Sequence, residues 1–132
     1  MPIIVGFVPT DEGRAALTAA IGEARSRASR LVVVNTSTGA ALVDARYASE
    51  GQLGEARREL DESGVDYELS QSVDSKDAAD VIVATARRTN AELIVIGLRR
   101  RTPVGKLIMG SQAQTVLLEA DCPVLAVKAQ RD

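Results

Sequence analysis

The sequence predicts an α/β fold, a five-stranded parallel sheet with helices on both of its faces. Five short apolar runs alternate with four stretches whose apolar residues recur at helical spacing, a pattern typical of doubly wound sheets. Several runs are apolar without interruption, as in strands that are covered on both faces. The 132 residues suit a single domain spanning 1–132, with no internal repeat or linker.

The strand candidates differ in pattern, and the pattern predicts their places in the sheet. They cover residues 2–8, 31–35, 65–71, 92–97 and 123–128. The third run alternates apolar with polar residues, which indicates an outer strand with one face in water. The last run is continuously apolar, yet the flavodoxin-like order 3-2-1-4-5 places it at the opposite edge. Because an uncovered apolar edge favours aggregation, we expect a partner to cover it.

Four helices are predicted from the spacing of apolar residues. The first spans about 12–28 and the second about 50–63. The third has a capping residue near Ser75 or Asp77, and the fourth begins at about Ser111.

One long connection, residues 35–49, follows the second strand. It leaves the carboxyl edge of the sheet, where open α/β sheets bind their ligands. A connection of this length is usually functional or mobile, so it is either a lid or a flexible crossover.

Composition excludes several classes of function. A net charge of −2 and 2% aromatic residues do not suit nucleic-acid binding, which uses cationic surfaces and rings for base stacking. The chain has no histidine and a single cysteine, Cys122, so it lacks the most common general base and cannot form an internal disulfide. The absence of a signal-like segment and of a membrane-spanning apolar run predicts a cytoplasmic protein without a membrane partner.

The segment after the fourth strand is the strongest candidate for a phosphate site. Its glycines, cations and hydroxyl residue are Gly97, Arg99, Arg100, Arg101, Gly105, Lys106, Gly110 and Ser111. Gly97 at the strand exit allows backbone amides to approach an anion, while Gly110 and Ser111 place N–H groups and a hydroxyl at the positive helix end. The cations can add charge-assisted contacts to phosphate. The alternatives are a plain turn with an N-cap and a solvated charged loop.

Spacing excludes two other phosphate motifs. Gly105 and Lys106 are similar to the end of a Walker A motif, but position 100 is arginine and Leu107 follows the lysine. The glycines after the first strand, Gly6 and Gly13, do not have the spacing of the dinucleotide fingerprint G-x-G-x-x-G.

Two further stretches resemble the universal stress protein family. Asp77–Ile96 is similar to the family's helix and fourth strand, and Asp121–Val127 is similar to its last strand, "CPVLVV". The resemblance covers essentially the whole chain and implies the flavodoxin-like fold. It also implies a homodimer through the last strand, at Val124, Leu125, Ala126 and Val127.

The phosphate segment resembles the family's nucleotide loop, G-x2-G-x9-G-[ST]. Gly97, Gly110 and Ser111 occupy the expected positions, whereas Arg100 stands where the pattern has its second glycine. Arg100 adds a Cβ where phosphate would approach the backbone, and Gly105 is a possible new flexible point.

The first strand departs from the family pattern at one position. The family's "ILVAVDGS" aligns with Ile3–Thr10, which puts Val8 where an aspartate would contact the nucleotide. Asp11, three residues later, substitutes for that aspartate only if the loop bends differently.

The family is divided into members that bind ATP and members that do not. The resemblance implies a stress-response module that binds ATP or a related adenine nucleotide weakly, together with Mg²⁺, where strands one and four diverge. The binding residues that it implies are Pro9, Thr10, Val34, Gly97, Arg99, Arg100, Gly105, Lys106, Gly110 and Ser111. The alternative is a dimeric scaffold of the same family that binds no nucleotide.

No enzyme activity is expected beyond slow hydrolysis of bound ATP. The chain has no histidine, and the sequence shows neither a paired-carboxylate motif nor a metal-ligand cluster. A phosphate loop can permit slow hydrolysis by positioning alone.

Overall fold

The computed structural model describes residues 1–37, 50–73, 77–98 and 111–129. In chain order the elements are β1 Ile3–Gly6, α1 Asp11–Arg27, β2 Leu31–Ser37, α2 Glu50–Ser63, β3 Tyr67–Val73, α3 Ala78–Thr89, β4 Leu93–Leu98, α4 Ser111–Glu119 and β5 Val124–Lys128. The predicted alternation is confirmed, but the bounds of three strands were wrong by two residues. β1 ends at Gly6 rather than at position 8, β2 ends at Ser37 rather than at position 35, and β3 lies two residues later than predicted, at Tyr67–Val73. β1 stops short of position 8 because the chain turns, with Thr10 N donating to Val8 O at 2.8 Å. β2 continues to Ser37, so the start of the expected long connection is strand.

The sheet has the strand order β3-β2-β1-β4-β5, and every pair is parallel. This confirms the predicted order, including β3 and β5 as the two edges. β1 is central: Ile3–Gly6 pairs with Leu31–Val34 on one side, and Ile3–Val5 pairs with Leu93–Val95 on the other. Strand order therefore reverses between β1 and β4.

Two apolar layers enclose the sheet, one on each face. Ile3 and Val5 pack with α1 and α2, whereas Ile4 packs with α3 and α4, and all three side chains are fully buried. Alternate residues of one strand point to opposite faces, so a strand between two helical layers needs an unbroken apolar run. That explains the continuous runs of β1, β2 and β4.

The helices begin with caps of two different kinds. Thr10 caps α1 in the usual way, its Oγ1 accepting from Gly13 N at 3.2 Å. At α3 the N-cap residue is Asp77, but its side chain makes no capping hydrogen bond. Instead, Gln112 from the first turn of α4 accepts from Ala79 N at 2.8 Å through its Oε1. Asp77 therefore occupies the N-cap position as predicted, but its side chain does not do the capping, and Ser75 lies outside the described residues.

The first turn of α1 lies directly against the end of β4. A Cβ on Gly97 would overlap the carbonyl of Glu12, and a Cβ on Gly13 would overlap the carbonyl of Val8. Both obstacles are backbone atoms, which cannot rotate away as a side chain can. Glycine at these positions is therefore what allows α1 to start over the point where the strand order reverses.

Replacing Gln112 by alanine should destabilise the protein by about 1 kcal/mol, because Ala79 N loses its acceptor at a helix end. Denaturant unfolding would measure the loss, and amide exchange should increase in the first turn of α3. Gln114→Ala is the matched control, since Gln114 lies on the exposed side of the same helix. Equal stability of the two variants would contradict the capping role.

Replacing Gly97 by alanine should cost about 1–3 kcal/mol, because the added methyl overlaps backbone and α1 must shift. Gly22→Ala is the control within α1, where a Cβ would meet nothing within 4 Å. Removal of a glycine from an open helical position should stabilise by about 0.5–1 kcal/mol. Thermal unfolding measures both, and a neutral Gly97→Ala would contradict the close approach.

Candidate functional site

The carboxyl ends of β1 and β4 lie side by side where the strand order reverses, and α1 and α4 both begin at this edge. A helix that follows a strand of a parallel sheet starts at the strand's carboxyl end. The N-terminus of a helix carries a partial positive charge and unpaired N–H groups. Two such helix ends at one reversal point favour an anionic ligand.

Four of the sequence-predicted site residues belong to this edge. Pro9 and Thr10 form the turn between β1 and α1 and are half-buried. Val34 is paired with Gly6 near the end of β1 and is only 4% exposed, so it can offer a ligand little surface. Gly97 is half-buried in β4.

The other predicted site residues are described only in part or not at all. Arg99, Arg100, Gly105, Lys106 and Gly110 lie outside the described residues, as do positions 38–49 of the long connection. Ser111 is described as the first residue of α4. Their roles in binding phosphate stay predictions.

Gly97 has a second reason to be glycine. The sequence interpretation assigned its missing side chain to the approach of a phosphate, whereas the structure places the Glu12 carbonyl against it. Packing of α1 alone would thus require glycine at this position. Gly97 is therefore weaker support for a nucleotide site than the start of α4.

The carboxylate that follows β1 is paired with a neighbouring cation. Asp11, the first residue of α1, accepts a hydrogen bond from Arg14 at 2.6 Å, and its side chain is 75% exposed. Val8, at the position of the family's aspartate, contributes its carbonyl to the turn that contains Pro9. Asp11 thus lies on the outer surface of α1 with a partner already in place.

Sequence reasoning missed two side-chain amides that join separate elements, the buried Asn35 and the half-buried Gln112. Asn35, fully buried, donates from Nδ2 to Phe7 O at 2.8 Å and accepts from Gln71 Nε2 at 2.9 Å. Gln112 contacts α3, as described above. For Asn35 the available signal was an amide directly after the apolar run 31–34, because a polar side chain in a buried strand needs hydrogen-bond partners.

A groove of about 160 Å³ lies between α1 and α2, next to the exit of β1. Its lining consists of Phe7, Pro9, Arg14, Leu17, Gln52, Glu55, Ala56 and Glu59. Small-molecule sites usually measure about 300–1,000 Å³. The groove by itself is therefore too small for a nucleotide.

Cys122 is not activated as a nucleophile. Burial raises the pKa of its thiol, and the nearby negative charge of Asp121 raises it further. A raised thiol pKa leaves the protonated, unreactive form dominant at neutral pH.

Within 1–37, 50–73, 77–98 and 111–129, no three acidic, cysteine or histidine side chains are grouped to hold a metal ion. No helix in those ranges is long and apolar enough to cross a membrane.

Comparison with known sequences gives a match over nearly the whole chain. The sequence model of the universal stress protein family matches residues 1–128. A universal stress protein of Mycolicibacterium smegmatis is 45% identical over 126 residues, which is 96% of each chain.

Solved structures agree with the sequence comparison. A universal stress protein from Archaeoglobus fulgidus superposes with a TM-score of 0.82 at 34% identity, over 97% of this chain and 98% of that one. The universal stress protein from Archaeoglobus fulgidus in complex with dAMP gives a TM-score of 0.66 at 29% identity, over the same shares. The strand order, the helix positions and these matches agree, and the chain therefore belongs to the universal stress protein family.

Proposed function

We propose that the chain is a stress-response regulatory module that binds ATP or a related adenine nucleotide weakly at the β1/β4 reversal point. The observation that carries the proposal is the start of α1 and α4 at neighbouring strand ends, where two positive helix termini face one edge. The Archaeoglobus fulgidus relative in complex with dAMP, at 29% identity over 97% of this chain, supports an adenine nucleotide as the ligand.

In this proposal the phosphates bind at the start of α4. Gly110 and Ser111 supply backbone N–H groups and a hydroxyl there, while Arg99, Arg100 and Lys106 supply positive charge. Gly105 lacks a Cβ and so permits backbone conformations that other residues rarely adopt. The rest of the nucleotide lies toward the exit of β1, against Pro9 and Thr10, with Val34 as apolar support beneath it.

A resident Mg²⁺ does not fit the side chains near β1. Val8 has no carboxylate, and Asp11 is paired with Arg14. In the part of the chain that the structure describes, no cluster of three or more acidic, cysteine or histidine side chains could hold a metal ion. Mg²⁺ prefers carboxylates together with phosphate oxygens. Any bound Mg²⁺ would therefore depend mainly on the phosphates of the ligand.

The proposal includes no catalytic step beyond slow hydrolysis of bound ATP. The chain contains no histidine, and the Cys122 thiol has a raised pKa. Proton transfer by a side chain of matched pKa is what normally accelerates such chemistry. Binding rather than turnover is therefore the proposed activity.

We propose further that two copies pair through β5. Among the described strands, β5 is bonded to β4 only, so no strand of 1–37, 50–73, 77–98 or 111–129 pairs with its other edge. Residues Val124, Leu125, Ala126 and Val127 form that edge, and Ala126 is exposed. Pairing across a two-fold axis would satisfy the backbone groups and cover the apolar run.

Nucleotide should co-purify with the protein, and calorimetric titration should detect ATP and ADP binding with little dependence on Mg²⁺. Gly110→Val should abolish binding, since a side chain there would block the approach of phosphate to the start of α4. Gly22→Val, at an open position of α1, is the matched control and should bind normally. Absence of nucleotide binding at millimolar concentration would overturn the proposal and favour the dimeric scaffold.

Arg100→Gly should change the affinity, because it restores the family's second glycine. Tighter binding would show that a Cβ at this position obstructs the approach of phosphate to the backbone. Weaker binding would show instead that the guanidinium holds phosphate. An unchanged dissociation constant would place the phosphates away from this loop and contradict the proposed site.

Leu125→Lys should convert the dimer into a monomer, because it places a charge in the covered edge. Light scattering at tens of micromolar protein measures the mass, and circular dichroism checks that the variant is folded. Ser70→Lys adds the same charge on the opposite edge strand, at an exposed position, and should leave the dimer intact. A monomeric unaltered protein at this concentration would contradict the pairing.

A further inference from the structure

The buried amide of Asn35 joins the ends of three strands. Its Nδ2 donates to the carbonyl of Phe7, directly after β1, at 2.8 Å. Its Oδ1 accepts from Nε2 of Gln71 in β3 at 2.9 Å, and these two residues are paired across the sheet. The side chain is fully buried, so it cannot itself touch a ligand.

The partners determine the orientation of this amide. A backbone carbonyl only accepts hydrogen bonds, so the NH₂ group must face Phe7 and the oxygen must face Gln71. Leucine, with a similar size, would supply neither bond, and aspartate would supply only the acceptor. An asparagine side chain therefore matches both partners at once.

Asn35 acts at the point where regular pairing of β1 ends. The pairing with β4 stops at Val5 and the pairing with β2 stops at Gly6. Phe7 N still donates to Val34 O at 2.8 Å, and the carbonyl of the same residue is the group that Asn35 holds. The next residues form the turn that contains Pro9 and Thr10.

That turn is connected to α1 by short bonds. Thr10 N donates to Val8 O at 2.8 Å, Thr10 Oγ1 accepts from Gly13 N at 3.2 Å, and Arg14 N donates to Thr10 O at 2.9 Å. A displacement of the Phe7 carbonyl would therefore move the turn and the first turn of α1 together.

We propose that Asn35 is a positioning residue that sets the place of Pro9 and Thr10 at the ligand edge. This inference rests on the proposed nucleotide function for its effect on binding. Its structural part, control of the β1 exit through the Phe7 carbonyl, can be measured without any ligand.

Asn35→Asp tests the inference with almost no change in size. At neutral pH the carboxylate would place an oxygen against the Phe7 carbonyl and remove the donor. Amide exchange at Thr10 and Gly13 should rise more than exchange in α3, and the ATP dissociation constant should increase about tenfold, equivalent to about 1.4 kcal/mol. Lowering the pH should reduce the excess exchange, because a protonated carboxyl can again donate to Phe7.

Val33→Ala is the control for a general loss of stability. Val33 is fully buried in the same strand and makes only apolar contacts in the α1 layer. It should lower stability while exchange at Thr10 and Gly13 rises no more than elsewhere and ATP affinity is retained. Gln71→Glu is the milder second variant if Asn35→Asp does not fold, since it removes the donor to Asn35 Oδ1 and should give a smaller effect of the same kind.

The outcomes separate the two proposals. Exchange at Thr10 and Gly13 that rises no more in Asn35→Asp than in Val33→Ala would overturn the positioning role. Unchanged ATP affinity in a variant with increased exchange would overturn it as well. If the unaltered protein binds no ATP, the proposed function fails, while the exchange data still decide whether Asn35 holds the β1 exit.

Discussion

The burial of β1 between two parallel strands and two helical layers is the constraint on which the rest of the structure depends. Ile3, Ile4 and Val5 are fully buried, and burial of such side chains stabilises by about 1.5–3 kcal/mol each. Because the next strand is parallel to β1, the chain must leave β1 at the carboxyl edge and cross back to the opposite edge through a helix. The reversal of strand order, the start of α1 and the exit of β4 are therefore brought to one edge by core packing.

At that edge the first turn of α1 packs closely against β4 and the β1 exit, and this packing requires glycine, the same residue type that a phosphate site would favour. Gly97 and Gly13 lie where a side chain would overlap backbone carbonyls, so α1 needs both glycines whether or not a nucleotide binds. Both glycines therefore have a structural explanation that requires no ligand. The start of α4 is the better support for the proposed anion site, because the first N–H groups of any helix have no partner within the helix.

Side-chain amides connect elements that the backbone leaves separate. Asn35 links β2 to the exit of β1 and to β3. The side-chain oxygen of Gln112 in α4 accepts a hydrogen bond from the first turn of α3. Each bond spans at least 28 positions of the chain, so it forms only after the sheet and its layers are assembled. The buried Asn35 amide, bonded through both its NH₂ group and its oxygen, favours one arrangement over near alternatives, because a shift would leave a buried polar group without a partner.

The sequence by itself determined the α/β class, the strand order and the two edge strands, and it predicted a ligand edge whose binding role stays a prediction. Apolar periodicity is local and reports directly which faces of a segment are covered, which is why Ile3–Val5 and Leu93–Ile96 could be assigned from pattern alone. Only the tertiary structure decided that Gly97 accommodates Glu12, that Gln112 rather than Asp77 caps α3, and that Asn35 holds the Phe7 carbonyl. These contacts join residues distant in the chain, and their partners depend on distances of a few ångströms that local periodicity does not encode.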